Sequence, residues 1–143
     1  MAAIIPIRTY PSDFHVSTFT IHSPQHDKYP VLFTDREIVV DQIVLYVGDD
    51  PNSATNVKFV KAPAPNAPNY ASSITNQADL TAAKQIPASG APSIWTTGTT
   101  AGFTINTANN QVASGYGIWM LLEANFQGVS QNVGVQVRWR SQY

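Results

Sequence analysis

The chain contains no cysteine, so it has no disulfide framework, no thiolate metal ligand and no cysteine nucleophile. Charge is also scarce. Eight Lys and Arg against nine Asp and Glu leave a net charge of −1, without the basic field that nucleic-acid binding rests on. Long apolar runs are missing too: no window approaches the ~18 residues of a membrane-spanning helix. Ile4, Ile5 and Ile7 around Pro6 fall short of a secretory apolar segment. The expectation is a soluble, non-secreted chain with neither nucleic acid nor membrane as partner. One absence is local. Between Gln85 and Leu122 there is no Asp, Glu, Lys or Arg, and Ser, Thr, Asn, Gln, Gly and Ala dominate. Interface centres are depleted of charge, so this stretch suits a surface hidden between subunits. A neutral β protein with no partner would read the same way.

What is present is β periodicity. In Val133–Arg140, Val133, Val135, Val137 and Trp139 fall on one face of a strand. Gly134, Gln136, Arg138 and Arg140 fall on the other, so two arginines share a face. Glu37–Val47 is strand material in which Ile43, Leu45 and Val47 alternate, stopped by the turn residues Gly48–Asn52. Phe14–His22 carries Phe14 and Val16 in one phase and Phe19 and Ile21 in the other, a slip of the kind a β-bulge produces. Ser23–Pro30 reads as a loop. Shorter strands are expected at Val31–Thr34, Val57–Val60, Ser93–Thr96, Phe103–Asn106 and Gly117–Glu123, and Ala62–Asn69 reads as a proline-rich loop. The loop Asn125–Asn132 would join the last two strands as a hairpin. Ala78–Gln85 is the one expected helix, with Asn76 as cap, Asp79 in its first turn, Lys84 in its last and Pro87 beyond it.

A chain of 143 residues makes one domain by size. The expected fold is all-β: an antiparallel β-sandwich of about eight short strands with one short helix, in the jelly-roll version that closes most edges. Residues 1–13 would form an extended N-terminal arm and residues 14–143 the sandwich. Core candidates are Ile43, Leu45, Phe103, Trp119, Leu121, Phe126, Val137 and Trp139.

Catalytic chemistry finds little to work with. Glu123 is isolated, no Gly-x-Ser-x-Gly elbow occurs, and the Gly98–Gly102 run lacks the lysine and helix of a phosphate cradle. His15, His22 and His26 beside Asp27 form the only metal-like cluster, but Ser23-Pro24 breaks the helical spacing that would align His22 with His26. Asp49, Asp50 and Asn52 lack the calcium-loop pattern and read as a turn. Trp95, Tyr70, Tyr116 and Tyr143 are candidates for stacking on sugar rings, though core and interface filler is the preferred reading of each. No enzyme, cofactor or metal is expected.

The C-terminal third carries a resemblance. Ile105–Gly115 is an Asn/Thr-rich turn with a Val112-x-x-Gly115 step. The apolar Ile118–Leu122 follows, and then Val133-x-Val135-x-Val137-Arg138. These resemble small tailed-phage virion proteins, and Glu37–Val47 is similar to their early strand. The resemblance implies a head decoration (cement) protein, a β-sandwich, commonly a homotrimer, made in the host cytoplasm and bound to the major capsid protein on the virion surface. The alternative is a tail-associated carbohydrate-binding, host-recognition module. Candidate partner-binding residues are Ile4, Ile5, Ile7, Arg8 and Tyr10 of the arm with Arg138 and Arg140 of the last strand. Ile4, Ile5 and Ile7 would each forfeit about 1.5–3 kcal/mol if left unburied.

Overall fold

The alternation of Val133, Val135 and Val137 becomes the middle of a sheet. In the computed structural model, which describes residues 14–22, 24, 27–66, 68–70, 77–99, 102–123 and 132–141, these three valines are almost wholly buried. Among the described residues there are ten strands: β1 (Phe14–His22), β2 (Lys28–Phe33), β3 (Ile38–Val47), β4 (Thr55–Pro63), β5 (Ala78–Asp79), β6 (Lys84–Ile86), β7 (Ser93–Thr96), β8 (Gln111–Val112), β9 (Tyr116–Leu122) and β10 (Asn132–Ser141). They form two antiparallel sheets. Sheet A runs β1-β10-β3-β7, with β8 on a further length of β3; sheet B runs β2-β9-β4-β5, with β6 also on β4.

The pairing is nested. β1 pairs with β10, β2 with β9, β3 with β7 and β8, and β4 with β5 and β6. The chain is thus a long hairpin folded over on itself. The β10–β3 and β9–β4 ladders join its arms into two sheets.

Between the sheets lie Ile38, Val40, Ile43, Leu45 and Val47 of β3, Val57 and Phe59 of β4, Ile118, Met120 and Leu122 of β9, and the β10 valines. Phe59 and Phe103 meet edge to face at 5.3 Å in this layer, and truncating either would cost about 3–5 kcal/mol. Phe103, Ile43, Leu45, Leu121 and Val137 are buried as expected, whereas Trp119 and Trp139 are half-buried. Phe126 lies outside the described residues. Two buried threonines replace missing strand partners: Thr81 Oγ1 accepts from Phe59 N–H at 3.1 Å, and Thr97 Oγ1 from Ile43 N–H at 3.0 Å. Gly102 packs so closely on the Thr96 carbonyl that a Cβ there would sit 1.7 Å from its oxygen.

Four sequence expectations are corrected. Ala78–Gln85 is not a helix, and no helix occurs among the described residues. It forms β5 and the start of β6 because Leu80 and Thr81 N–H groups donate to the Phe59 carbonyl. Pairing to β4 outweighs the cap signals of a helix too short to be stable alone. β1 has no bulge: its register with β10 runs unbroken from Phe14 to His22. The register shift of this sheet lies instead between Arg138 and Trp139, opposite β3. β9 and β10 make no hairpin, since they belong to different sheets. Phe103–Asn106 is not a strand and contributes a single bridge, Ile105 to Thr81. The domain boundary at Asp13 falls outside the described residues.

Candidate protein-docking face

Strand alternation decides what each sheet shows to the outside. On β1 the outward positions are Phe14, Val16, Thr18, Thr20 and His22; on β10 they are Asn132, Gly134, Gln136, Arg138 and Arg140. The ladders extend these into rows: Thr20, Gly134, Tyr46 and Ile94; then Thr18, Gln136, Val44 and Thr96; then Val16, Arg138 and Gln42. Five large apolar side chains are exposed among the described residues: Phe14 (37%), Val16 (55%), Phe33 (56%), Tyr46 (43%) and Ile94 (63%). Four of the five lie on this outer face of sheet A. The fifth, Phe33, is on sheet B.

The centre of the face is uncharged. Tyr46 leans over Gly134, its ring carbon 3.6 Å from where a Cβ would stand, so aromatic surface covers the glycine. Charges sit at the two ends. At one end Arg138 Nε donates to Asp41 Oδ2 at 2.6 Å, a second guanidinium nitrogen also meets that oxygen, and the guanidinium lies 5.3 Å from the Phe14 ring centroid. The register shift makes this possible by inserting Asp41 into β3 beside Arg138, a common use of a bulge. Arg140 is exposed and has no ion pair among the described residues. At the other end Gly48 N–H donates to the Asn132 carbonyl at 2.8 Å, and the exposed Asp49 follows. Asp50 is occupied: its Oδ1 accepts from Ala91 N–H at 2.8 Å.

Beside the arginine end opens a groove of about 710 Å³ lined by Asp41, Gln42, Thr97, Thr99, Thr107 and Arg138 among others. It exists because β7 and β8 pair different lengths of β3. Thr97 and Asn110 bridge the interval, with Asn110 Nδ2 donating to the Val40 carbonyl at 3.3 Å.

The sequence-predicted residues divide accordingly. Arg138 and Arg140 share one exposed face, though Arg138 is committed to Asp41. Ile4, Ile5, Ile7, Arg8 and Tyr10 lie outside the described residues. His15 stacks on Trp139 at 4.5 Å, and His22 Nδ1 lies 2.6 Å from Asn132 Oδ1; His26 is outside the described residues. No group of three His, Cys, Asp or Glu converges among the described residues. Glu123 is occupied by Asn56, accepting from its backbone N–H and its side-chain amide. The stacking candidates do not gather: Trp95 faces the core and donates to Ser93 Oγ, Tyr116 packs against the core, and Tyr70 lies 4.9 Å from Lys58 Nζ. Tyr143 is outside the described residues.

Sequence reasoning missed Phe14, Val16, Tyr46 and Ile94. A signal for two members of the face was present in β1, where the apolar phase changes between Val16 and Phe19. Without a bulge, that change means Phe14 and Val16 point outward while Phe19 and Ile21 point inward. A comparison with models of known protein families and with curated protein sequences finds no match.

Proposed function

We propose that this chain is a non-enzymatic structural protein of a phage particle. It acts as a capsid decoration (cement) protein that binds the major capsid protein lattice on the virion surface and stabilises the head. The observation that carries this reading is the outer face of sheet A, where Phe14, Val16, Tyr46 and Ile94 surround an uncharged polar centre. Single exposed apolar residues are ordinary; two exposed apolar pairs on one face, with no charge on the row between them, suit a protein contact, whose centre is depleted of charge. The nested strand pairing supports reading the sandwich as a jelly roll, an architecture used by viral capsid and lectin domains. The resemblance of Ile105–Leu122 and Val133–Arg138 to virion proteins points the same way.

In this reading the sandwich contacts sister subunits and residues 1–13 attach to the shell. Ile4, Ile5 and Ile7 supply apolar burial, and Arg8 meets an acidic rim. Many copies on one lattice then gain avidity from modest single contacts. The experiment is co-sedimentation of the purified protein with shells that lack it, comparing the full chain with one deleted for residues 2–12. The truncated chain keeps its melting temperature and loses shell binding. A full chain that ignores the shells, or a truncated chain that binds equally well, overturns the proposal. The rival reading, a tail-associated sugar-binding module, draws on the hydroxyl- and amide-lined groove beside Arg138, and retention on host glycans with no retention on shells would favour it.

A further inference from the structure

We infer that the open edge of β1 docks an extended segment of the shell subunit, which joins sheet A as a further strand. The inference rests on the capsid reading proposed above, and it names a contact beyond the arm. β1 pairs with β10 on one side, and no described strand lies on its other side. Every second residue of an edge strand turns its N–H and C=O outward, and such a row is a template for another chain. Edges that bind nothing are kept short or carry proline, charge or a bulge. The other edges among the described residues follow that rule. β5 and β8 have two residues, β6 three and β7 four. β2 carries Lys28, Pro30 and a register shift between Pro30 and Leu32. β1 has none of these protections. It runs nine residues without proline, Asp, Glu, Lys or Arg, and its ladder to β10 is unbroken.

The core is least covered on the same side. Phe19 of β1 and Tyr29, Val31 and Leu32 of β2 pack against it yet stay half-buried. The Phe19 and Tyr29 rings lie 6.5 Å apart, so the two edge strands flank one partly open side of the sandwich. A strand laid on β1 turns alternate side chains toward these residues and adds apolar burial to its main-chain hydrogen bonds. The segment that fits is therefore extended, uncharged and apolar at alternate positions. A sister edge does not fit. β1 against β1 of a second copy closes as a two-fold pair, whereas the virion-protein resemblance implies a trimer. A ring of three needs a second long open edge for β1 to meet, and the described strands have none. The shell is brought to β1 by the chain itself, because residues 1–13, the shell-attaching arm, lead directly into Phe14. Arm and edge hold together, each too weak alone.

The test is amide hydrogen exchange of the full chain, free and bound to shells that lack it, read by mass spectrometry on peptides covering β1. In the free chain about half of the β1 amides exchange fast, since alternate N–H groups face the open edge. On shells these slow by about tenfold or more. Proline is then placed singly, as Ser17→Pro and Thr18→Pro. One of these neighbouring N–H groups faces β10 and the other the open edge, so one variant loses stability and the other keeps its melting temperature. The stable variant binds shells about tenfold more weakly than wild type. If neither variant folds, the exchange result on the wild type decides. A bound chain whose β1 amides still exchange fast, or a stable proline variant that binds as wild type, overturns the inference and leaves the capsid reading standing. Free-chain β1 amides that are all slow mean that the chain covers its own edge, and slowing that grows with protein concentration assigns the edge to a second copy; either overturns it. A full chain that ignores the shells sinks the capsid reading and this inference with it.

Discussion

The two outer faces of the sandwich are built from similar strands and finished differently. Sheet B carries Val60, Ala62, Trp119 and Leu121 outward, and three of them reach complete burial. Part of the chain returns across that face: Pro68 is buried, Tyr70 lies over Lys58, and Lys58 pairs with Asp79 at 3.2 Å. Phe33 meets Trp119 edge to face at 6.0 Å, and the indole Nε1 is buried without a hydrogen-bond partner among the described residues. Sheet A leaves Val16, Tyr46 and Ile94 uncovered on its outer face, where only Val39 and Val44 among the outward apolar residues of β3 are buried. An apolar outward face can therefore be core or contact surface, and what decides is whether the chain supplies its own cover.

The contrast is broken most directly by placing a charge on each face. Leu121→Glu buries an unpaired carboxylate and costs several kcal/mol, enough to unfold much of the population at room temperature. Ile94→Glu changes stability by no more than about 0.5 kcal/mol. Urea denaturation of the two variants checks this, and equal losses would mean the two faces are equally covered. Glycines give a smaller version of the comparison. A Cβ at Gly117 would lie 2.9 Å from Phe33 Cε1 and 3.0 Å from Trp119 Nε1, whereas at Gly134 its nearest neighbour is Tyr46 Cβ at 3.5 Å. Gly117→Ala should cost about 1–3 kcal/mol and Gly134→Ala close to nothing. Thermal melts of both are the measurement.

Asp41→Asn sharpens the account of the arginine end. The Arg138–Asp41 pair is partly exposed on both sides, so its loss costs about 1 kcal/mol or less, and the expected difference shrinks in high salt. The smallest effect is a pH dependence on sheet B. Burial, and then the charges of Glu123 and Asp79, raise the Tyr70 pKa above its ordinary 10.0. The folded state therefore holds this proton more tightly than the unfolded chain, and stability from this group falls as pH rises above 10. Burial lowers the Lys61 pKa below 10.5, so its contribution runs the other way: the folded state sheds that proton first, and stability rises with pH up to the unfolded value. Tyr70→Phe should flatten the decline above pH 10 and leave neutral pH unchanged, as followed by urea midpoints from about pH 9 to 11.

Legibility in the sequence followed the range of the forces involved. β7 was readable to the residue, and β3 and β10 nearly so, because one-sided burial imposes a period of two that survives in the sequence. β4 and β9 were readable as apolar runs but not in their two-sided burial, which depends on what crosses sheet B. The helix over Ala78–Gln85 failed because its signals were local and its actual partner, the Phe59 backbone, is distant in the chain. β2 begins at Lys28, earlier than expected, since Pro30 is tolerated on an edge strand. For the candidate site, Arg138 and Arg140 were found from alternation alone. Their apolar neighbours were not, because Tyr46 and Ile94 come together only through the β3–β7 register.

The nested pairing also governs the order in which the molecule can form. β10 is the last of the described strands, yet it lies between β1 and β3, so β1 has no sheet partner until β10 is in place. Loop-closure entropy is spent across more than 120 residues before the Phe14–Arg140 end of the ladder returns anything, and pairings of such long range slow folding. Until then β1 and β3 both present unpaired edges, so a nascent or C-terminally clipped chain is the aggregation-prone species.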